Sequence, residues 1–290
     1  MYASFNGKRI FFDVVNDGLK TGIDGKNKIK PVVFALQGGP GMEHPGMKPL
    51  MAPFFDLVQV VLFDQRGSGL SDPVIEQEWS LELLSKDMEC LRKHLGFEKI
   101  IPLGISFGGM LAMDYAIRFP GSVSGLVLAV TAPSRRSFED AARFAEGIKD
   151  PLIRENAFKI LNGRMENDED LKKTLAIMTP LYSMERTPEK TYESIRNARV
   201  SSLVLNYFIS GRSGTYDLEN RLCEISVPTL IMGSSQDWIC PISQSRIMNE
   251  KIRGSRLVVF EESKHEICED EKEKFVSSIR KFLNEELSIY

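Results

Sequence analysis

Apolar and polar positions along this chain fall into two regimes. Six short runs, at residues 31–36, 58–63, 100–103, 126–130, 229–232 and 257–260, are nearly continuous in Val, Ile, Leu and Phe. Runs of that length and composition predict parallel strands buried on both faces. Ahead of them, residues 5–15 hold an Asn-Gly pair, Asn6-Gly7, between apolar and aromatic positions, which predicts a hairpin. Residues 18–30 are polar and rich in Gly and Lys and read as an exposed loop. Pro102 falls inside a predicted central strand, where its missing N–H counts against the assignment.

Between the runs the period changes to that of a helix. Leu84, Met88, Leu91 and Leu95 stand at i, i+4, i+7 and i+11, a single apolar stripe. His94 borders the stripe and reads as a partly buried structural histidine. Residues 108–118 follow a strand directly and read as a buried helix. From about 134 to 220, charged helical stretches replace the strand-like runs, with breaks at Asp150-Pro151, Asn162-Gly163, Thr187-Pro188 and residues 211–214. After Pro228 the strand pattern resumes. The expectation is an α/β core with a mostly parallel, eight-stranded sheet flanked by helices. Its first part spans residues 1–133, its second part 221–290, and a helical cap inserted at 134–220 covers the C-terminal edge of the sheet.

Composition narrows the class without changing the outline. With 290 residues, 42% hydrophobic and 27% charged, the chain can bury its own core without disulfides or a structural metal. A net charge of −3, with both signs interspersed, offers no footprint for nucleic acid. The N-terminus lacks the basic-then-apolar order of a leader, and no apolar run reaches the ~18 residues of a membrane span, so a cytoplasmic protein is expected. Cys90, Cys223, Cys240 and Cys268 are scattered and read as reduced thiols, with an approach of Cys240 to Cys268 near the site as the alternative. There are no internal repeats.

Candidate chemistry centres on Gly104-Ile105-Ser106-Phe107-Gly108-Gly109, between a predicted strand and a predicted helix. A G-x-S-x-G string alone is weak, but strand, sharp turn and helix are the context a nucleophile elbow requires, with small residues flanking the strained serine. A serine hydroxyl needs a base at neutral pH. Of the three histidines, His44, His94 and His265, only His265 follows both the elbow and a suitable acid. Asp237, just beyond the strand at 229–232, is the acid best placed to orient the imidazole. Glu261, Glu262 and Glu266 are rivals, but they lie too close to His265 along the chain to come from a separate strand end. Oxyanion donors are expected from the N–H of Phe107 and from the loop Gln37-Gly38-Gly39-Pro40-Gly41, where Gly39 is the choice. Glu43 and His44 follow that loop and read as either pocket-lining or solvated. A metal centre built from Asp237, Cys240, His265 and Cys268 lacks the ligand spacing of a zinc site, so no metal is expected.

These segments resemble the proline iminopeptidase-like branch of the α/β hydrolases. Residues 37–41 are similar to that branch's H-G-G-P-G loop, with Gln37 in place of its histidine. Asp64-Gln65-Arg66-Gly67-Ser68-Gly69-Leu70-Ser71 is similar to its D-Q-R-G-x-G-x-S segment, and residues 104–109 match its elbow. The resemblance covers roughly residues 5–133 and 225–285. It implies the α/β-hydrolase fold with a cap, no cofactor, hydrolysis of amides or esters, and the Gly39 and Phe107 donors. Aminopeptidases of this branch hold the substrate's α-ammonium with cap glutamates. Around residues 204–208 this chain is apolar and amidic, which leaves Glu185, Glu189 or Glu193 as substitutes.

The expected function is therefore serine hydrolysis of small carboxylic esters, lactones or amides through an acyl-enzyme. The alternative is release of N-terminal proline from short peptides, and the remote one a non-catalytic ligand-binding protein of the same fold. The expected partner is a small-molecule substrate alone.

Overall fold

The computed structural model describes residues 1–21, 27–214 and 216–287. An eight-stranded sheet forms the centre. The N-terminal hairpin supplies β1 (Tyr2–Phe5) and β2 (Lys8–Val14), turning at Asn6-Gly7 with both turn residues at positive φ, the hand a tight hairpin needs. A separate two-stranded ribbon follows, β3 (Leu19–Thr21) with β4 (Asn27–Ile29). The stretch read as a loop at 18–30 is thus partly paired, and its residues 22–26 lie outside the described part. Lys30 is buried rather than exposed, because its ammonium bonds the Phe55 carbonyl at 2.9 Å and Asp17 at 3.0 Å.

The remaining strands are β5 (Val32–Leu36), β6 (Gln59–Phe63), β7 (Ile101–Ile105), β8 (Leu126–Ala129), β9 (Thr229–Ser234) and β10 (Arg256–Phe260). Their order across the sheet is β1-β2-β6-β5-β7-β8-β9-β10, with the first two pairings antiparallel and the rest parallel. Alternate residues of a strand feed opposite faces. Phe34 and Leu36 enter one core and Val33 and Ala35 the other, which is why these runs are apolar throughout.

Helices cover both faces. On one side lie α1 (Met47–Met51) and the C-terminal helix; on the other, α2 (Leu81–His94) and α3 (Phe107–Arg118). Leu84, Met88 and Leu91 of the predicted stripe are buried, and Ser80 caps the helix by accepting from Leu83 N–H. His94 is exposed instead of partly buried, with only its ring edge against Phe5 and Phe12. Every residue of α3 from Phe107 to Ile117 is buried.

Between β8 and β9 the described residues form the α-helices α4 (Arg136–Glu146), α5 (Pro151–Leu161), α6 (Asp168–Ile177), α7 (Thr179–Tyr182), α8 (Pro188–Ile195) and α9 (Ser202–Ile209). The predicted breaks are helix boundaries. Asp150 caps α5 through Leu152 and Ile153 N–H with Pro151 at the first position, and Thr187-Pro188 opens α8 the same way. The chain closes with α10 (Ile242–Lys251), α11 (Ile267–Asp270) and α12 (Lys272–Lys281). Among the described residues, no helix is long and apolar enough to cross a membrane.

Candidate active site

Four loops meet at the C-terminal ends of β5, β7, β9 and β10. The turn after β7 carries Ser106 at φ 54° and ψ −121°, a conformation that side-chain-bearing residues rarely adopt. Its surroundings hold it there. Ser106 N–H donates to the Ala129 carbonyl at 2.9 Å, and its own carbonyl accepts from Thr131 Oγ1 at 2.7 Å. The flanking glycines are steric necessities. A Cβ on Gly104 would lie 2.2 Å from the Gly108 carbonyl oxygen, and one on Gly108 would lie 2.1 Å from that of Leu36.

The loop after β5 passes beside this serine. A Cβ on Gly38 would stand 3.3 Å from the Cβ of Ser106 and 3.8 Å from its Oγ. Gly39 has φ 121°, and the Gly39-Pro40 peptide is cis. Gly38, Gly39, Ser106 and Phe107 all line one cavity. Gly41 touches the helical segment: its carbonyl accepts from Ser201 N–H at 2.8 Å.

Asp237 and His265 stand in the loops after β9 and β10. Asp237 Oδ2 lies 2.7 Å from His265 Nδ1, while Oδ1 accepts from the N–H groups of Ile239 at 2.9 Å and Cys240 at 3.0 Å. Both side chains are buried. Burial opposes a charge on the imidazole, but the charge and hydrogen bond of Asp237, with Glu266 behind them, outweigh it and raise the His265 pKa. With Nδ1 committed to Asp237, Nε2 is left to take a proton. The rivals are elsewhere: Glu261 and Glu262 are exposed, and Glu266 is half-buried on the cavity wall with its pKa raised by burial.

That cavity has a volume of about 620 Å³. Ser106 and His265 share its wall with Phe138, Ile160, Leu171, Leu205 and Phe208 from the helices between β8 and β9. Arg186, Glu269 and Lys272 stand at its charged margin, the first two as an ion pair. Sequence reasoning missed Tyr182, whose ring meets His265 edge-on at 5.3 Å and whose carbonyl accepts from Glu266 N–H at 2.8 Å. No local pattern marks it, since its position depends on how α7 docks. Glu185, Glu189 and Glu193 are exposed and line no part of the cavity; Glu193 pairs with Arg196 along its own helix. Asn206 is spent on Met165, bonding its N–H at 2.9 Å and its carbonyl at 2.7 Å.

His44 is neither solvated nor in the cavity. It is buried, with Nδ1 2.9 Å from Asp64 and Nε2 3.4 Å from Asp13. Asp64 also accepts from the N–H of His44 at 2.8 Å and of Leu70 at 2.7 Å, so it ties the loop after β5 to the loop after β6. Nearby, Arg66 makes a two-pronged pair with buried Asp87 at 2.5 and 2.7 Å. The four cysteines are free, and both Cys240 and Cys268 line the cavity. Asp237, Cys240 and His265 converge, with one donor atom from each lying within 4.8 Å of the others.

Comparison with known proteins agrees with this architecture. Residues 31–272 match the family described as alpha/beta hydrolase fold. The chain is 29% identical over 263 residues to the proline iminopeptidase PfmaB of Pestalotiopsis fici, covering 87% of this chain and 92% of the relative. Among solved structures it resembles VinJ (TM-score 0.80, 23% identity, 99% of this chain and 98% of that one). The enol-lactonase of Burkholderia xenovorans LB400 is similar in fold as well (TM-score 0.75, 19% identity, 98% and 100%).

Proposed function

The chain belongs to the alpha/beta hydrolase fold family, and on that premise we propose that it is a serine hydrolase cleaving small carboxylic esters, lactones or amides through an acyl-enzyme. One observation carries the reading. Ser106 on its strained turn and His265 paired with Asp237 line the same cavity, beside the glycine loop. In this reading Ser106 Oγ attacks the carbonyl carbon while His265 takes its proton. Asp237 holds the imidazole tautomer and stabilises the imidazolium. The N–H groups of Gly39 and Phe107 receive the oxyanion. His265 then protonates the departing alcohol or amine, and a water activated by the same base releases the acid.

The cavity's walls point to the acyl group. They are mostly apolar, and the core at residues 1–133 and 221–290 is read as carrying the chemistry while the cap at 134–220 holds an uncharged acyl chain. A second reading, release of N-terminal proline, is favoured by the iminopeptidase named among the relatives and by Glu266, a half-buried cavity carboxylate that an α-ammonium could meet.

The test is covalent labelling. A fluorophosphonate probe is expected to modify the protein once, at Ser106, and Ser106→Ala is expected to abolish both labelling and ester turnover with the fold intact. Asp237→Asn is expected to lower kcat by about 10⁴, the loss on neutralising such an acid in another serine hydrolase, whereas Glu262→Gln changes it only modestly. Undiminished turnover by the Ser106→Ala protein would sink the reading.

A further inference from the structure

Asp237, Cys240 and His265 come from two loops, and all three are buried. The acyl-transfer reading uses the carboxylate and the imidazole and leaves the thiol without a task. We propose that the three side chains form a binding site for a thiophilic divalent cation, zinc or cadmium, and that occupancy reversibly takes His265 out of use.

The donor set is the first argument. Thiolate, imidazole and carboxylate are the ligands that zinc selects, bound at about 2.0–2.3 Å. Around such an ion the donors stand roughly 3–4 Å apart, and here they already lie within 4.8 Å of one another. Binding requires side-chain rotation to close the remaining distance. The Asp237–His265 contact, at 2.7 Å, is a hydrogen bond that opens as the ion enters between them.

Charge balance is the second argument. Carboxylate and thiolate together neutralise a dication, so the bound cluster carries no net charge into a buried place. The thiol proton leaves to solvent as the sulfur–metal bond forms, and where Nδ1 is the ligand its proton passes to Nε2, so the imidazole stays neutral. Either ring nitrogen serves the inference. A cation on Nδ1 breaks the bond to Asp237, and one on Nε2 occupies the lone pair that accepts the proton.

Access and rigidity complete the case. Cys240 and His265 line the cavity, which gives an ion its approach to the site. The N–H groups of Ile239 and Cys240 on Asp237 Oδ1 fix the loop that holds the sulfur beside the Asp–His pair.

Cadmium titration of the purified protein tests this, read by the thiolate-to-cadmium charge-transfer absorption and by equilibrium dialysis. One equivalent is expected to bind with the absorption band in the parent protein. The band is expected to persist in Cys268→Ser and Cys223→Ser. In Cys240→Ser it is expected to vanish, with affinity lower by at least about 100-fold, the upper loss seen for a mere outer partner of a metal ligand. Cys240→Val serves as the second variant should the serine disturb folding. In parallel, zinc is expected to block fluorophosphonate labelling and EDTA to restore it. No band in the parent protein, or a band that survives loss of Cys240, overturns the site. Cadmium bound at Cys240 without loss of labelling overturns the inhibitory claim. The binding arm needs no turnover, so its outcome is independent of whether the protein proves to be a hydrolase.

Discussion

His44 sits five positions after Gly39, yet its surroundings are set by Asp64 and Asp13, far along the chain in either direction. Burial works against its charge, but the hydrogen bond and charge of Asp64, then those of Asp13, outweigh it and raise its pKa. A raised histidine contributes stability in full below its unfolded value of ~6.5 and loses it as pH climbs through the folded value. Unfolding free energy from urea titrations is therefore expected to fall as pH rises past neutrality. His44→Gln is expected to start lower at acid pH and to decline less, the remaining slope coming from His265, whose pKa is raised in the same sense. Parallel declines in the two proteins would contradict the clamp. Residues of this kind mark the boundary of legibility. The strained turn at Ser106 was legible because it demands glycines on both sides, and the strand-end loops that carry Asp237 and His265 because each follows a clear apolar run. The setting of His44 was not, because aspartates that reach it from β2 and from the end of β6 leave no trace at local spacing.

At the scale of elements, strands and helix ends were readable because period and turn chemistry agreed. The exception that looked worst, Pro102, is instructive. It pairs with Phe34 of β5, while toward β8 the ladder lapses between the Ile100–Val123 bridge and the Leu103–Val127 pair. The proline stands where the neighbouring chain bends at Ser124, so its missing N–H falls in a gap of the ladder. The strand–turn–helix unit itself predicts a graded response. Gly108→Ala would push a methyl to 2.1 Å from the Leu36 carbonyl, backbone that has no rotamer to retreat into. Overpacking of this sort costs about 1–3 kcal/mol, and the shift is transmitted to the loop carrying Gly38 and Gly39. Gly121→Ala, exposed and with nothing within 4 Å, is the control. Thermal unfolding is expected to show a clear loss for Gly108→Ala and a change within about 0.5 kcal/mol for Gly121→Ala. Equal behaviour of the two would mean that the elbow tolerates expansion.

For the whole molecule, the proposed reading makes substrate choice depend on how the helices between β8 and β9 border the cavity, and this was the least legible feature. Helical stripes say which residues are buried but not which of them border an empty space. Glu185, Glu189 and Glu193 turn outward, while Phe138, Ile160 and Leu171 share a cavity wall with Ser106. An apolar wall rewards acyl length. Each methylene buried contributes about 0.8 kcal/mol, or about fourfold in kcat/KM, until the space is full. A charged α-ammonium there, without a carboxylate, costs several kcal/mol. Glu266 opposes this, a half-buried acid beside His265 whose pKa is raised by burial and which is not needed for an uncharged substrate; Glu269, also on the wall, is paired with Arg186. The expectation is that kcat/KM for p-nitrophenyl esters rises with chain length and then drops. Leu171→Trp is expected to bring that drop to shorter chains, because the added ring fills part of the cavity that Leu171 lines. Pro-naphthylamide and Ala-naphthylamide are expected to be poorer than the best ester, and Glu266→Gln is expected to leave the ester series nearly unchanged. A clear preference for the prolyl amide that Glu266→Gln removes would instead assign this cavity to an amino-terminal proline.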